Sequence, residues 1–279
     1  MPRSGPGCRS PLGWRPGHAV RGFVSSAARW PARSPRSVRA SRTGRWATGW
    51  PEPPGRRWAA TRSTSVSAIG LARVPAELSL TDAVAVAEGG LTALPFLRDH
   101  AKVRPGQRVL VNGASGSVGT AAVQLAKHLG AHVTGVCSAA NAELVRSLGA
   151  DEVIDYATGD FASAANAYDV VLDAVGTRSY RECRAALRPG GIYLTTVPDV
   201  AILFQGLWTR WVGSTRAGIA FTGLRRPECR AEDLAGILGL AEQGTLRPVI
   251  DHVCSLGQVP QAHGHVDTGR KRGAVVASM

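Results

Sequence analysis

The sequence predicts an α/β protein: a doubly wound parallel sheet of the Rossmann kind behind a disordered Arg/Pro-rich segment, with a C-terminal remnant of a second domain. Three observations predict it. From Leu71 onward, short apolar runs alternate with helical stretches, the mark of right-handed βαβ units covered on both faces. A glycine-rich turn at 112–119 joins one such run to one such stretch. Charge also divides the 279 residues: of the net +13, residues 1–70 account for +12 (13 Arg, no Lys, one acid at Glu52) and residues 71–279 for only +1.

Residues 1–70 hold five of the seven Trp and nine of the seventeen Pro, with no sustained apolar period. Such a stretch cannot bury enough side chain to offset its ordering entropy, so disorder is expected. A basic arm on nucleic acid and an Arg-rich transit peptide are two readings of it. The favoured third is a mis-started or frame-shifted beginning: Arg, Pro, Ala, Gly, Ser and Trp are what GC-rich codons spell out of frame, and the chain has 30 Arg against 3 Lys. Five widely spaced cysteines without a Cys-x-x-Cys pair argue against a disulfide framework and a cysteine-rich zinc site. No run of about 18 apolar residues stands out, which argues against a membrane-spanning helix. Without a convincing secretory signal the expected location is cytoplasmic.

The elements follow in order. Thr81 or Ser79 caps a first helix, helical character resumes over Gly90–Lys102, and Arg104-Pro105-Gly106 stops it. Strands are predicted at Arg108–Asn112, His132–Cys137, Glu152–Asp155, Tyr168–Asp173, Gly191–Val197 and Ala217–Thr222. Helices are predicted at Ser117–Leu129, Asn141–Leu148, Ser179–Leu187 and Ala231–Gln243, the first two closed by Gly130 and Gly149. This gives three expected segments: 1–70, a Rossmann domain with leading helices over 71–246, and a remnant over 247–279.

The sharpest signal is Val109-Leu110-Val111-Asn112-Gly113-Ala114-Ser115-Gly116-Ser117-Val118-Gly119. Ala114, Gly116 and Gly119 form an A-x-G-x-x-G pattern, the dinucleotide fingerprint with alanine for its first glycine. Gly116 lets backbone approach a pyrophosphate, Gly119 lets the helix pack on the strand, and free N–H groups at the helix start supply donors. The second strand ends Cys137-Ser138-Ala139-Ala140-Asn141 with no acid to hold a ribose 2′-hydroxyl. That absence favours NADP(H) over NAD(H), with Ser138, Asn141 and Tyr156 as donors to the 2′-phosphate.

Together with Ala122-Val123-Gln124-Leu125-Ala126-Lys127, Glu143–Asp151, Asp169–Gly176, Leu187-Arg188-Pro189-Gly190-Gly191 and Gly269–Gly273, this loop makes residues 74–279 resemble the medium-chain dehydrogenase/reductase superfamily, on its zinc-free quinone oxidoreductase side. The resemblance implies a Rossmann domain embedded in a GroES-like catalytic domain. It also implies hydride transfer between NAD(P)H and a small quinone, enone or carbonyl, without metal. By it, Ala114, Ser115, Gly116, Ser117, Val118 and Gly119 hold the pyrophosphate. Ala174, Val175, Thr196 and Val197 line the adenine-ribose and nicotinamide sides, and a homodimer is compatible with it.

Departures accompany it. Ser117 stands where glycine is commoner, Ala140 where relatives often carry Arg, and Arg270 where His is frequent. Nothing in residues 1–70 matches the N-terminal GroES-like half, so the expected product is a fragment with nucleotide affinity and weak or no catalysis. Strands at Val249–Val253 and Ala274–Ala277 are expected to lack partners, an aggregation hazard. No catalytic residue is nominated. His263, His265 and Asp267 on a predicted helix are read as a solvated face with no further ligand nearby, so no metal is expected. Two alternatives stand beside the oxidoreductase: a non-catalytic NADP(H)-binding module, and a nucleic-acid-associated protein acting through the Arg-rich arm.

Overall fold

The structure, a computed structural model, describes residues 72–209 and 211–278. The disorder expected of residues 1–70 therefore lies outside the described residues. Six strands form one parallel sheet: β1 (Arg108–Asn112), β2 (His132–Cys137), β3 (Glu152–Asp155), β4 (Tyr168–Asp173), β5 (Leu187–Thr195) and β6 (Arg216–Ile219). Their spatial order is β3-β2-β1-β4-β5-β6, and every pairing is parallel. This is the doubly wound order whose direction of winding reverses between β1 and β4. The central strands are apolar on both faces because helices cover both: Val109, Leu110, Val111, Val171 and Leu172 are all fully buried.

One helix, α1 (Leu80–Pro95), continues through a π turn at Phe96–Ala101. Ser79 is its N-cap, accepting the Asp82 N–H at 3.0 Å. Pro95 has no N–H to give to the ladder, and the helix widens immediately after it. Sequence reasoning splits this helix at Gly90, whereas the structure runs straight through. A Cβ on Gly89 would lie 2.2 Å from the Ser117 carbonyl oxygen, so the two glycines mark close packing rather than a break. Residues Leu80–Ala101 are long and apolar enough to cross a membrane by length and composition, which corrects the expectation that no segment is. Here its buried face, including Val86, Ala93, Leu94 and Leu97, belongs to the main core.

Helices α2 (Ser117–His128), α3 (Ala142–Ser147), α4 (Tyr180–Cys183), α5 (Val200–Trp208) and α6 (Pro227–Glu242) complete this layer structure. Sequence reasoning assigns no element to α5. Its apolar side chains go all round, and Leu203, Phe204, Leu207 and Trp208 stay exposed, so no 3.6-residue stripe betrays it.

The C-terminal residues form a two-stranded parallel sheet, β7 (Ile250–Ser255) with β8 (Ala274–Ser278), joined through α7 (Val259–Asp267). The expectation that these strands lack partners is corrected: they pair with each other and bury Ala274, Val276 and Ile250 against Ala85 of α1. Gln124 on α2 anchors the approach to them, accepting the Arg247 N–H at 2.7 Å and donating to its carbonyl at 3.1 Å.

A ring of four charges ties the π turn to α6. Arg98 meets Asp99 at 2.7 Å and Asp233 at 2.8 Å, and Arg225 meets the same two carboxylates at 2.7 and 3.2 Å. Burial alone would raise the Asp99 carboxyl, but the two guanidinium groups hold it below its usual range. Asp233 is 4% exposed at its side chain, so removing it leaves two cations with too few partners in a dry place. Asp233→Ala is expected to lower the unfolding free energy by about 3 kcal/mol, read from the urea midpoint at constant slope.

Candidate nucleotide-binding crevice

The carboxyl ends of β1, β2, β4 and β5 open on one edge of the sheet, at the point where strand order reverses. Crevices at such edges are where open α/β sheets take ligands. The turn from β1 into α2 forms its floor. Gly113 adopts φ +77°, which an L side chain resists, and a Cβ there would sit 2.2 Å from Val175 Cγ2. The tight-turn role thus belongs to Gly113, one position before the Ala114 that the fingerprint spacing selects. Sequence reasoning omits Gly113 from the site; its place between an apolar strand and the A-x-G-x-x-G run was the available signal.

Gly119 and Gly116 do different jobs. A Cβ at Gly119 would lie 2.0 Å from the Gly113 carbonyl oxygen and 2.8 Å from Ala114 Cα, so glycine is demanded by the helix seated on its own turn. At Gly116, with φ −79° and ψ 175°, a Cβ would meet nothing closer than Gly113 O at 3.5 Å. The protein itself does not require glycine there; the bare backbone leaves room for something else.

Hydrogen bonds sort the loop further. The Gly113 and Ala114 N–H groups both donate to the Val136 carbonyl, at 3.0 and 2.9 Å, and the Gly116 N–H donates to Gly113 O at 3.0 Å. These three close the turn. The N–H groups of Ser117, Val118 and Gly119 precede the first helical bond, Thr120 N–H to Gly116 O at 2.8 Å, and point out of the helix start.

The remaining sequence-selected residues fall into two sets. Asn141 donates its amide to Ser115 Oγ at 3.1 Å, joining the end of β2 to the loop, and its own Oδ1 is buried without a partner. Ser138 precedes it, and the Tyr156 N–H donates to Cys137 O at 3.2 Å, so Tyr156 stands at the same end, 66% exposed. Ala174, Val175, Thr196 and Val197 form the second set across the crevice. Val175 leans on Gly113, and Val197 fills the space a side chain on Gly176 would need.

Asp173 organises that second set. It is fully buried at the end of β4, accepting Asn112 Nδ2 at 3.0 Å and the N–H groups of Val175, Gly176 and Arg178 at 3.0, 2.8 and 3.1 Å. The Tyr193 hydroxyl lies 3.2 Å from its other oxygen and donates to Arg178 O at 2.5 Å. This carboxylate shapes a loop. Burial and the nearby Asp173 push the Tyr193 phenol up, so it holds its proton. Burial likewise raises the Cys137 thiol.

A basic segment that sequence reasoning uses for the resemblance but does not place at the site closes the other side. Gly273 donates its N–H to Ser115 O at 2.8 Å and bridges Gly116, bringing Arg270-Lys271-Arg272 beside the loop. The Ser117 hydroxyl donates to Glu88 at 2.8 Å, and Lys271 pairs with the same carboxylate at 3.6 Å.

The chain is similar to known proteins in sequence and in fold. A family model described as zinc-binding dehydrogenase matches residues 148–276. A trans-enoyl reductase of Aspergillus terreus is 32% identical over 225 residues, covering 75% of this chain and 62% of that protein. A mitochondrial NAD(P)H oxidoreductase of Mus musculus is 30% identical, covering 81% and 63%. Among solved structures, the quinone oxidoreductase from Coxiella burnetii superposes with a TM-score of 0.66 at 28% identity, covering 75% of this chain and 63% of that one. The chain thus spans less than two thirds of the length of these relatives.

Two outcomes test the crevice. Gly119→Ala is expected to destabilise the protein by more than about 2 kcal/mol in urea, because backbone rather than a flexible side chain must move, while Gly116→Ala leaves the midpoint unchanged. The second concerns the Cys183 thiol beneath Asp173, which burial pushes up to about 12 from an ordinary 9. The folded state keeps this proton while the unfolded chain loses it, so stability present below pH 9 declines as pH rises from about 9 to about 12. Cys183→Ala is expected to flatten that decline in urea midpoints measured across the range.

Proposed function

The chain belongs to the medium-chain dehydrogenase/reductase superfamily, and from that premise we propose that it binds NADP(H) in the crevice and serves hydride transfer to a small quinone, enone or carbonyl. One observation carries the reading. Gly116 is bare where the protein's own packing does not ask for it, directly beside three outward N–H groups at a helix start. A diphosphate fits that cradle in both shape and charge.

In this reading, Ser117, Val118 and Gly119 donate to the pyrophosphate, with Ala114, Ser115 and Gly116 shaping its seat. Ser138, Asn141 and Tyr156 surround the adenosine 2′-phosphate, with the Asn141 amide held beside the loop by its hydrogen bond to Ser115 Oγ. The choice of NADP(H) rests on the absence of an acid in the residues that follow β2, Ser138-Ala139-Ala140-Asn141. Ala174, Val175, Thr196 and Val197 line the nicotinamide side, and the partly exposed Val175 and Val197 exclude water from it.

When bound, the cofactor supplies the hydride, and the chain's part is to orient it. The quinone or enone class rests on the relatives, among them a chloroplastic quinone-oxidoreductase of Triphysaria versicolor.

Fluorescence titration of the full chain with NADPH is the test. Saturable binding is expected, weaker for NADH, and reduced at least about tenfold by Gly116→Val, whose side chain fills the cradle. NADPH consumption with a quinone and enone panel reads the second part. Affinity for neither nucleotide, or a Gly116→Val variant that binds as tightly as the parent, overturns the proposal.

A further inference from the structure

Away from the crevice, β7 carries an irregularity. Ile250 pairs with Ala274 and His252 with Val275, so two residues of β7 oppose one of β8. In a regular strand, neighbouring side chains point to opposite faces. A bulge of this kind re-aims them, and here Asp251 and His252 come together, with His252 Nδ1 3.9 Å from Asp251 Oδ2.

Helix α7 then returns over this strand and delivers a third group. His265 Nε2 is hydrogen-bonded to Asp251 Oδ2. The rings of His252 and His265 stand edge-on, with centroids 5.3 Å apart. One ligand atom from each of Asp251, His252 and His265 lies within 4.8 Å of the other two. The expectation that His265 has no further ligand nearby is corrected by this bulge. The residues adjacent to it in sequence, His263 and Asp267, are exposed and stand apart from the cluster.

We propose that Asp251, His252 and His265 form a binding site for a divalent transition-metal ion, Zn2+ foremost. Two imidazoles and a carboxylate match the preferences of Zn2+ and its first-row neighbours rather than of Mg2+ or Ca2+. Three protein ligands leave the remaining position to water. The side chains are 18%, 44% and 38% exposed in chain order, so an ion reaches them from solvent. An ion bound here takes the place of the hydrogen bond between His265 and Asp251. The ion clips α7 to β7 just before the Arg270–Gly273 segment that abuts the phosphate loop. None of the three residues is among those proposed to hold the cofactor, so this site stands independently of the oxidoreductase reading.

The test uses untagged full-length chain stripped with chelator and titrated with Co2+, whose visible d–d bands report its coordination, and with Zn2+ by calorimetry. One ion per chain is expected. His252→Ala and His265→Ala are each expected to weaken binding at least about tenfold, while His263→Ala and Asp267→Asn leave it unchanged. Far-UV circular dichroism confirms that each variant, altered at a partly or fully exposed position, is folded. No saturable binding of either ion, or equal losses in His263→Ala and His265→Ala, overturns the proposal.

Discussion

The approach of Gly119 to the Gly113 carbonyl is the constraint on which the remaining architecture depends. With no side chain at 119, α2 begins almost on top of the turn that leaves β1. That single proximity fixes the angle of the helix, aims its first N–H groups over the sheet edge, and leaves Gly116 at the rim. Backbone partial charges at a helix start are weak in water but persistent, because they cannot rotate away. The geometry is therefore set before any ligand arrives.

Asp173 does for the opposite wall what the glycines do for the floor. A buried carboxylate needs several donors, and four protein groups converge on this one with Tyr193 alongside. Because three of the donors are consecutive or nearly consecutive backbone N–H groups, the loop after β4 has little freedom left. Val175 is held against Gly113 as a result, so this wall of the crevice locks to its floor.

Much of this was legible in the residues. Parallel strands buried on both faces are apolar runs, and the strands from β1 to β4 fall where the periodicity puts them. The fold family and the glycine loop follow from the same signals. What escaped had tertiary causes. α5 is apolar on every side and shows no stripe; Gly89 and Gly90 look like a break but mark contact with Ser117 and Ile237. Arg270–Arg272 lie over 150 positions beyond the loop they flank, and no local pattern announces that. The bulge that gathers Asp251, His252 and His265 arises only when β7 and β8 pair.

The parallel bridge between Gly116 and Gly273 has a bearing on how the molecule comes into being. A ribosome delivers the chain from its amino end, so the turn after β1 emerges long before the segment that will brace it. Contacts so distant in sequence form late and slowly. The sheet can be assembled while the crevice still lacks one rim, so the last part of the chain to emerge is the part that finishes it.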